Sequence, residues 1–162
     1  MFTLNTAVRS IALPTLLATL SMAVTPLRAG TPADDKETRD YRLTMEKVQK
    51  YVTAATAIQA DSKATRCMKD NELSSAPSLD AFEKKFNNCP GAVAIVKGAG
   101  LAPRELMVMS AVLFSGVMLV GMKKAGQIQK YPPSISPENA AFLEKNADKI
   151  GPMLQPLMKS EK

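Results

Sequence analysis

Apolar and polar positions alternate at helical spacing along most of the chain. From Asp35 to Gln59, apolar residues recur every three or four positions and predict a long amphipathic first helix; they are Tyr41, Met45, Val48, Val52 and Ala55. The sequence contains no stretch with the strict two-residue alternation of a half-buried strand. We therefore expect an all-α fold.

Helix caps and helix breakers divide the middle of the chain. Asp61 to Glu72 is compatible with a polar second helix. Ser78 is placed to cap a short third helix, and Pro90 to start the next, because a proline at the first helical position loses no hydrogen bond. Gly98 and Gly100 should end that helix, since glycine adopts the left-handed conformation common at helix ends.

The most apolar stretch is Leu106 to Met122, seventeen residues without a charge. Pro103 should open this helix and Gly126 end it, so that the helix covers about 103–125. Apolar residues occur all round the helix, which indicates burial on every side.

The last helix should begin at Ser136 and Pro137, as cap and first residue. Gly151 and Pro152 are expected to bend or break it. The predicted fold is thus an irregular bundle of five or six helices around the central apolar helix.

Lipid is the alternative environment for the stretch from Leu106 to Met122. Seventeen apolar residues reach the lower end of the membrane-spanning range, and the lysines that follow would suit a single-span envelope protein. Ser110, Ser115, Gly116 and Gly121 dilute this apolarity. Four other segments carry apolar stripes that need a partner surface, which favours a central helix inside one domain.

The N-terminus resembles a secretory signal peptide. Residues 1–29 contain a short start with Arg9, an apolar run from Ile11 to Val24 and small residues near Ala29. Cleavage after Ala29 is the first expectation, with Ala23 and Ala33 as alternatives. Residues 30–162 would then form a single helical domain that is periplasmic or secreted.

Charge and composition narrow the function. Removing Arg9 and Arg28 from the 21 basic residues leaves 19 against 15 acidic ones, a net charge of +4. The basic residues are mixed with acids and form no stripe, which disfavours nucleic acid; contact with an anionic membrane surface fits better. The chain has no histidine, which removes histidine-based hydrolases, haem ligation and histidine zinc sites. We expect a non-enzymatic protein without a cofactor.

Cys67 and Cys89 are the two cysteines of the chain. An exported chain with an even cysteine count is typically oxidised, so we expect a disulfide between them. A redox-active pair is the alternative, but such pairs usually have closer spacing or an activating base.

Four charged residues flanking the central helix are candidate functional residues: Arg104, Glu105, Lys123 and Lys124. Glu105 could place a carboxylate at a cleft between helices, or simply complement the helix dipole. The lysines could receive an anionic ligand, or form a solvated helix end.

Methionine offers one further chemistry. Met118 and Met122 lie four residues apart on one helix face, and thioether sulfur is a soft ligand suited to Cu(I). Methionine also fills gaps in hydrophobic cores, and this structural use is the favoured interpretation.

Two short segments resemble known sequences. G-A-G-L-A-P-R-E-L at residues 98–106 and S-P-E-N-A-A-F-L-E-K at 136–145 are similar to a group of small secreted helical proteins of proteobacteria. In that group a G-L-T-P-R-E-like segment precedes an apolar helix, whereas Ala102 stands here at the threonine position. The resemblance implies an exported helical domain and brings no activity, ligand or catalytic residue with it.

The sequence therefore predicts an exported helical domain that binds an unknown protein or an apolar ligand, or has a role in the cell envelope. The alternatives are a single-span membrane protein and a Cu(I)-binding periplasmic protein.

Overall fold

The computed structural model describes residues 30–158, so the predicted signal peptide lies outside the described residues. Residues 30–158 form seven α-helices and no strand: α1 (Pro32–Asp40), α2 (Met45–Ala60), α3 (Ser62–Asp70), α4 (Leu79–Phe86), α5 (Pro90–Gly98), α6 (Pro103–Lys124) and α7 (Pro137–Met158). One turn of 3₁₀ helix, Leu73–Ser75, joins α3 to the loop before α4. The all-α prediction is confirmed.

Most helix ends lie where the caps predicted them. Ser78 Oγ accepts the backbone N–H of Ala81 at 3.1 Å and begins α4, while Ser136 Oγ accepts that of Asn139 at 3.2 Å and begins α7. Gly100 and Gly126 follow α5 and α6 with φ of 75° and 72°. These are left-handed conformations that favour glycine.

The prediction of one long first helix is wrong, because this segment forms two helices, α1 and α2. Thr44 Oγ1 caps α2 by accepting the backbone N–H of Lys47. The side chain of Asn139, 1% exposed, accepts the N–H of Leu43 at 3.0 Å and donates to the carbonyl of Tyr41 at 2.6 Å. The backbone between α1 and α2 is thereby held extended by α7, which no local pattern could reveal.

The expected break in the last helix does not occur. α7 continues through Pro152 and Pro156 to Met158. Both prolines are exposed, while Ile150 and Leu154 are buried on the opposite side. Burial of this apolar face against the core outweighs the hydrogen bonds that the prolines remove.

α6 lies at the centre of the molecule and contacts α1, α2, α4, α5 and α7. Its inner side is buried at Met109, Leu113 and Val120. The helix approaches α7 at Gly116, where an added Cβ would overlap the Cδ1 of Leu143. This close approach sets the distance between the two longest helices.

Cys67 of α3 and Cys89, which precedes α5, form the predicted disulfide. The Nδ2 of Asn71 lies 3.5 Å from both sulfur atoms. Cys89 is buried and Cys67 is half-buried. The bridge joins the polar helix α3 to the core through α5.

Candidate functional site: the outer face of α6

One side of α6 is open to solvent. We call this surface the outer face of α6, and it consists of Met107, Ala111, Phe114, Ser115, Met118, Gly121 and Met122. Phe114 is 40% exposed and Met118 is 59% exposed. At 1.5 Å per residue the outer face is about 22 Å long, and no charged residue interrupts it.

This opening corrects the expectation that α6 is buried on every side. Eight of its 22 residues are buried, all on the side that faces the other helices or at the helix start. The favoured role of its methionines as core filling holds for Met109, which has no exposed surface. Met118 is largely exposed and Met122 partly exposed, so both can contact a partner or a ligand.

Arg104, a candidate from the sequence, joins α1 to α4. Its guanidinium makes two parallel hydrogen bonds to the carboxylate of Glu37, with Nε to Oε1 at 2.9 Å and Nη2 to Oε2 at 2.7 Å. It also contacts Asp80, and lies 3.6 Å from Glu83 and 4.0 Å from Asp34. These carboxylates occupy the guanidinium, and the cluster gives this end of α6 an excess of negative charge.

Glu105 is held by Tyr41, which lies between α1 and α2, and by Lys47 of α2. The hydroxyl of Tyr41 donates to Glu105 Oε1 at 2.6 Å, and Lys47 Nζ lies 3.6 Å from the same oxygen. Lys47 also lies 4.2 Å above the ring of Tyr41. Burial raises the pKa of Tyr41 well above its usual range, and the hydrogen bond to Glu105 adds to this rise. These contacts make Glu105 part of a structural network.

The lysines at the other end of α6 differ in their surroundings. Lys123 Nζ lies 2.8 Å from Glu144 Oε1 and 4.4 Å from the centre of the Tyr131 ring. Lys124 is exposed. From Leu106 to Pro137 the chain carries Lys123, Lys124 and Lys130 and no acidic residue, and Glu144 of α7 offsets the charge of Lys123, so this end of the helix keeps a smaller excess of positive charge.

Two shallow, open depressions lie away from α6. One is beside the disulfide and is lined by α3 side chains, among them Lys63, Arg66 and Asp70. The other lies between α2, α3 and α5, and includes Ala57 and Ile95. Lys63 lines both depressions, whereas no charged residue interrupts the outer face of α6, so the outer face is the better surface for an apolar partner.

Comparison of the chain with protein-family models, with curated proteins and with solved structures finds no match. Function must therefore be inferred from the chemistry of the chain itself.

The outer face was not predicted, because α6 is apolar in all directions. Its buried and exposed sides both carry methionine, and no polar stripe separates them. The one available signal was the gathering of Ala111, Ser115 and Gly121, three small residues, in a single sector of the helix.

Proposed function

We propose that this protein is an exported, non-enzymatic helical domain that binds a partner through the outer face of α6. The observation that carries this proposal is an uncharged surface of methionine and phenylalanine on the most apolar helix, exposed along several turns. Exposed apolar surface that has not been covered by the fold is typical of interaction sites. Methionine adapts its shape to different partners, which suits such a surface.

The proposal includes export of the protein from the cytoplasm. It is supported by the leader-like pattern of residues 1–29, and a disulfide is compatible with it. Mass spectrometry of the protein recovered from its native host should give a chain that begins at Gly30. A full-length chain confined to the cytoplasm would contradict export.

Photocrosslinking in cells tests the binding surface. A photoreactive amino acid at Met118 should give a defined adduct, and the adduct should be lost when Phe114→Glu is added. The same group at Met158, which is 57% exposed on α7, is the matched control and should give none. Absence of an adduct at Met118, or equal adducts at both positions, would remove the outer face from the function.

A single-span membrane protein is the second candidate, because an 18-residue stretch of α6 has a mean hydropathy of 1.9 and the helix is long enough to cross a bilayer. Its contacts with five other helices favour the first proposal. Fractionation separates the two. Recovery of the mature protein only in detergent extracts of membranes would favour the span.

Cu(I) binding by Met118 and Met122 remains a third hypothesis, because the two thioethers share the exposed side of α6. Anaerobic Cu(I) titration against a competing chelator, repeated with Met118→Leu and Met122→Leu, tests it. Equal affinity in the variant and the parent protein would end it.

A further inference from the structure

Six exposed or partly exposed residues on the open side of α6 keep the spacing of a helix that packs along another helix. Arg104, Met107, Ala111, Phe114, Met118 and Gly121 follow one another at intervals of three and four residues. This average repeat of 3.5 residues keeps one side of a helix turned toward a neighbouring helix over its whole length. We call these six residues the seam. Within residues 103–124 no charge lies on the seam except at Arg104, so a second helix could lie along it without burying an unpaired charge.

The order of large and small side chains on the seam fits a copy of itself in the antiparallel direction. With a two-fold axis between residues 112 and 113, Ala111 of one copy lies beside the partner's Phe114. Met107 then lies beside the partner's Met118, and Gly121 leaves room for the partner's Arg104. A small residue of one copy therefore lies beside a large residue of the other at the centre and at both ends of the pair. The flexible methionines fill the space between these positions.

Charge favours the same direction. One end of α6 carries Arg104 among four carboxylates, Asp34, Glu37, Asp80 and Glu83. The other end carries Lys123, Lys124 and Lys130 of the acid-free segment 106–137, of which Lys123 is paired with Glu144 of α7. An antiparallel pair brings the basic end of each copy beside the acidic end of the other, whereas a parallel pair places like charges together.

We propose that the partner of the outer face of α6 is a second copy of this chain, bound antiparallel as a two-fold symmetric dimer. This inference rests on the proposed function, since it names the occupant of the same surface. The seam is about 25 Å long and about 10 Å wide, or about 250 Å², which is roughly a third of the 800 Å² per partner of a standard interface. The dimer should accordingly be weak, with a dissociation constant on the order of 10–100 μM.

Analytical ultracentrifugation of the mature protein, from a few micromolar to several hundred micromolar, tests the association. The protein should pass from monomer to dimer, and Met118→Glu should raise the dissociation constant tenfold or more. Met158→Glu, an equally exposed methionine on α7, should leave it unchanged, and equal melting temperatures for the two variants would show that both are folded. A protein that stays monomeric throughout, or equal effects of the two variants, would overturn the inference.

Engineered disulfides test the direction. A mixture of Met107→Cys and Met118→Cys copies should form a covalent dimer between unlike copies. Met118→Cys alone should form little, because the two sites of an antiparallel pair lie about 16 Å apart along the axis, beyond the reach of a disulfide. Efficient dimers of Met118→Cys alone would indicate parallel helices and overturn the proposed arrangement.

The failures of the two proposals can be told apart. A monomeric purified protein that still gives a Met118 adduct of another mass in cells would overturn self-association and retain partner binding. A monomer that co-sediments with vesicles of anionic lipid would assign the outer face to a membrane surface and overturn the dimer. No adduct in cells and no dimer in solution would remove both.

Discussion

Gly116 is the residue whose size matters most to the packing of α6. The side chain of Leu143 occupies the space where a Cβ would lie, and Ile135 Cδ1 is 3.3 Å from that position. Because both neighbours belong to the buried core, neither can move away cheaply. The glycine therefore fixes how closely α6 and α7 approach.

Replacing Gly116 with alanine should lower the free energy of unfolding by about 1–3 kcal/mol, because the added methyl group overpacks the core. Urea denaturation followed by circular dichroism measures this. Gly151→Ala in α7 is the matched control, since nothing lies within 4 Å of its added Cβ. The control should stabilise by roughly 0.5–1 kcal/mol through helix propensity alone. Similar shifts in both variants would argue against the close approach.

The three tyrosines should all resist ionisation in the folded protein. Burial raises the pKa of Tyr51 and Tyr41, and raises that of Tyr131 to about 12, with the hydrogen bond to Glu144 as the second cause. Native protein should therefore ionise its tyrosines at higher pH than the unfolded chain, which titrates near pH 10, and Tyr131 should be half ionised at about pH 12. A native titration near pH 10 would contradict these environments.

The same pKa shifts determine how the free energy of unfolding changes with pH. Between about pH 10 and pH 12 the unfolded chain has lost tyrosine protons that the native chain retains. The contribution of the tyrosines to the free energy of unfolding is therefore complete below pH 10 and falls as the pH rises through this interval. Tyr131→Phe should weaken the decline measured by denaturation at each pH.

At the scale of single residues, caps were predictable and long-range partners were not. Ser78, Pro90 and Gly126 act within one turn of their own positions, so local sequence was sufficient. Asn139 acts on Tyr41 and Leu43, nearly a hundred positions earlier in the chain, and nothing around it marks that role. Arg104 and Glu105 were singled out, but their partners came from helices whose placement was unknown.

At the scale of elements, α3 depends on its covalent link. It is a short polar helix with Ala64 as its buried residue, so little apolar packing holds it. The disulfide to Cys89 supplies the attachment that its sequence lacks.

Replacing Cys67 and Cys89 together with alanine should lower the free energy of unfolding by about 3 kcal/mol, as the loop-entropy model gives for a separation near twenty residues. Chemical denaturation of the variant and of the parent protein gives this difference. Reduction of the parent protein should cause a similar loss. A variant as stable as the parent would show that the disulfide does not constrain the unfolded chain.

α1 depends on an ionic attachment in a comparable way. Its sequence is almost wholly polar, and Glu37 anchors it to Arg104 of α6. Arg104→Met should increase amide hydrogen exchange in Pro32–Asp40 about tenfold, while global stability changes by roughly 1 kcal/mol or less because these groups are partly exposed. Arg39→Met, which alters an exposed arginine of α1 itself, is the control and should leave the exchange unchanged. Unchanged exchange in the Arg104 variant would mean that α1 is held by other contacts.

At the scale of the whole molecule, the sequence was sufficient for the class of fold and for its central element. Helical spacing, a pair of cysteines and one apolar segment can each be recognised in the sequence without knowing which residues are neighbours in the fold. The open side of α6 cannot be recognised in this way. It depends on how many helices pack around α6 and on where the connecting segments place them. Six other helices are present in residues 30–158, yet their connections leave a sector uncovered.

The 59% exposure of Met118 has a chemical consequence as well as a structural one. Peroxide converts an accessible thioether to a polar sulfoxide and spares a buried one, so in dilute solution Met118 and Met158 should react well before Met109. Peptide mapping follows each site. If the outer face of α6 is covered at high protein concentration, oxidation of Met118 should slow while that of Met158 does not. A sulfoxide at Met118 would place a strong dipole on an otherwise apolar surface. Oxidation of Met118 would therefore also weaken binding at the outer face of α6.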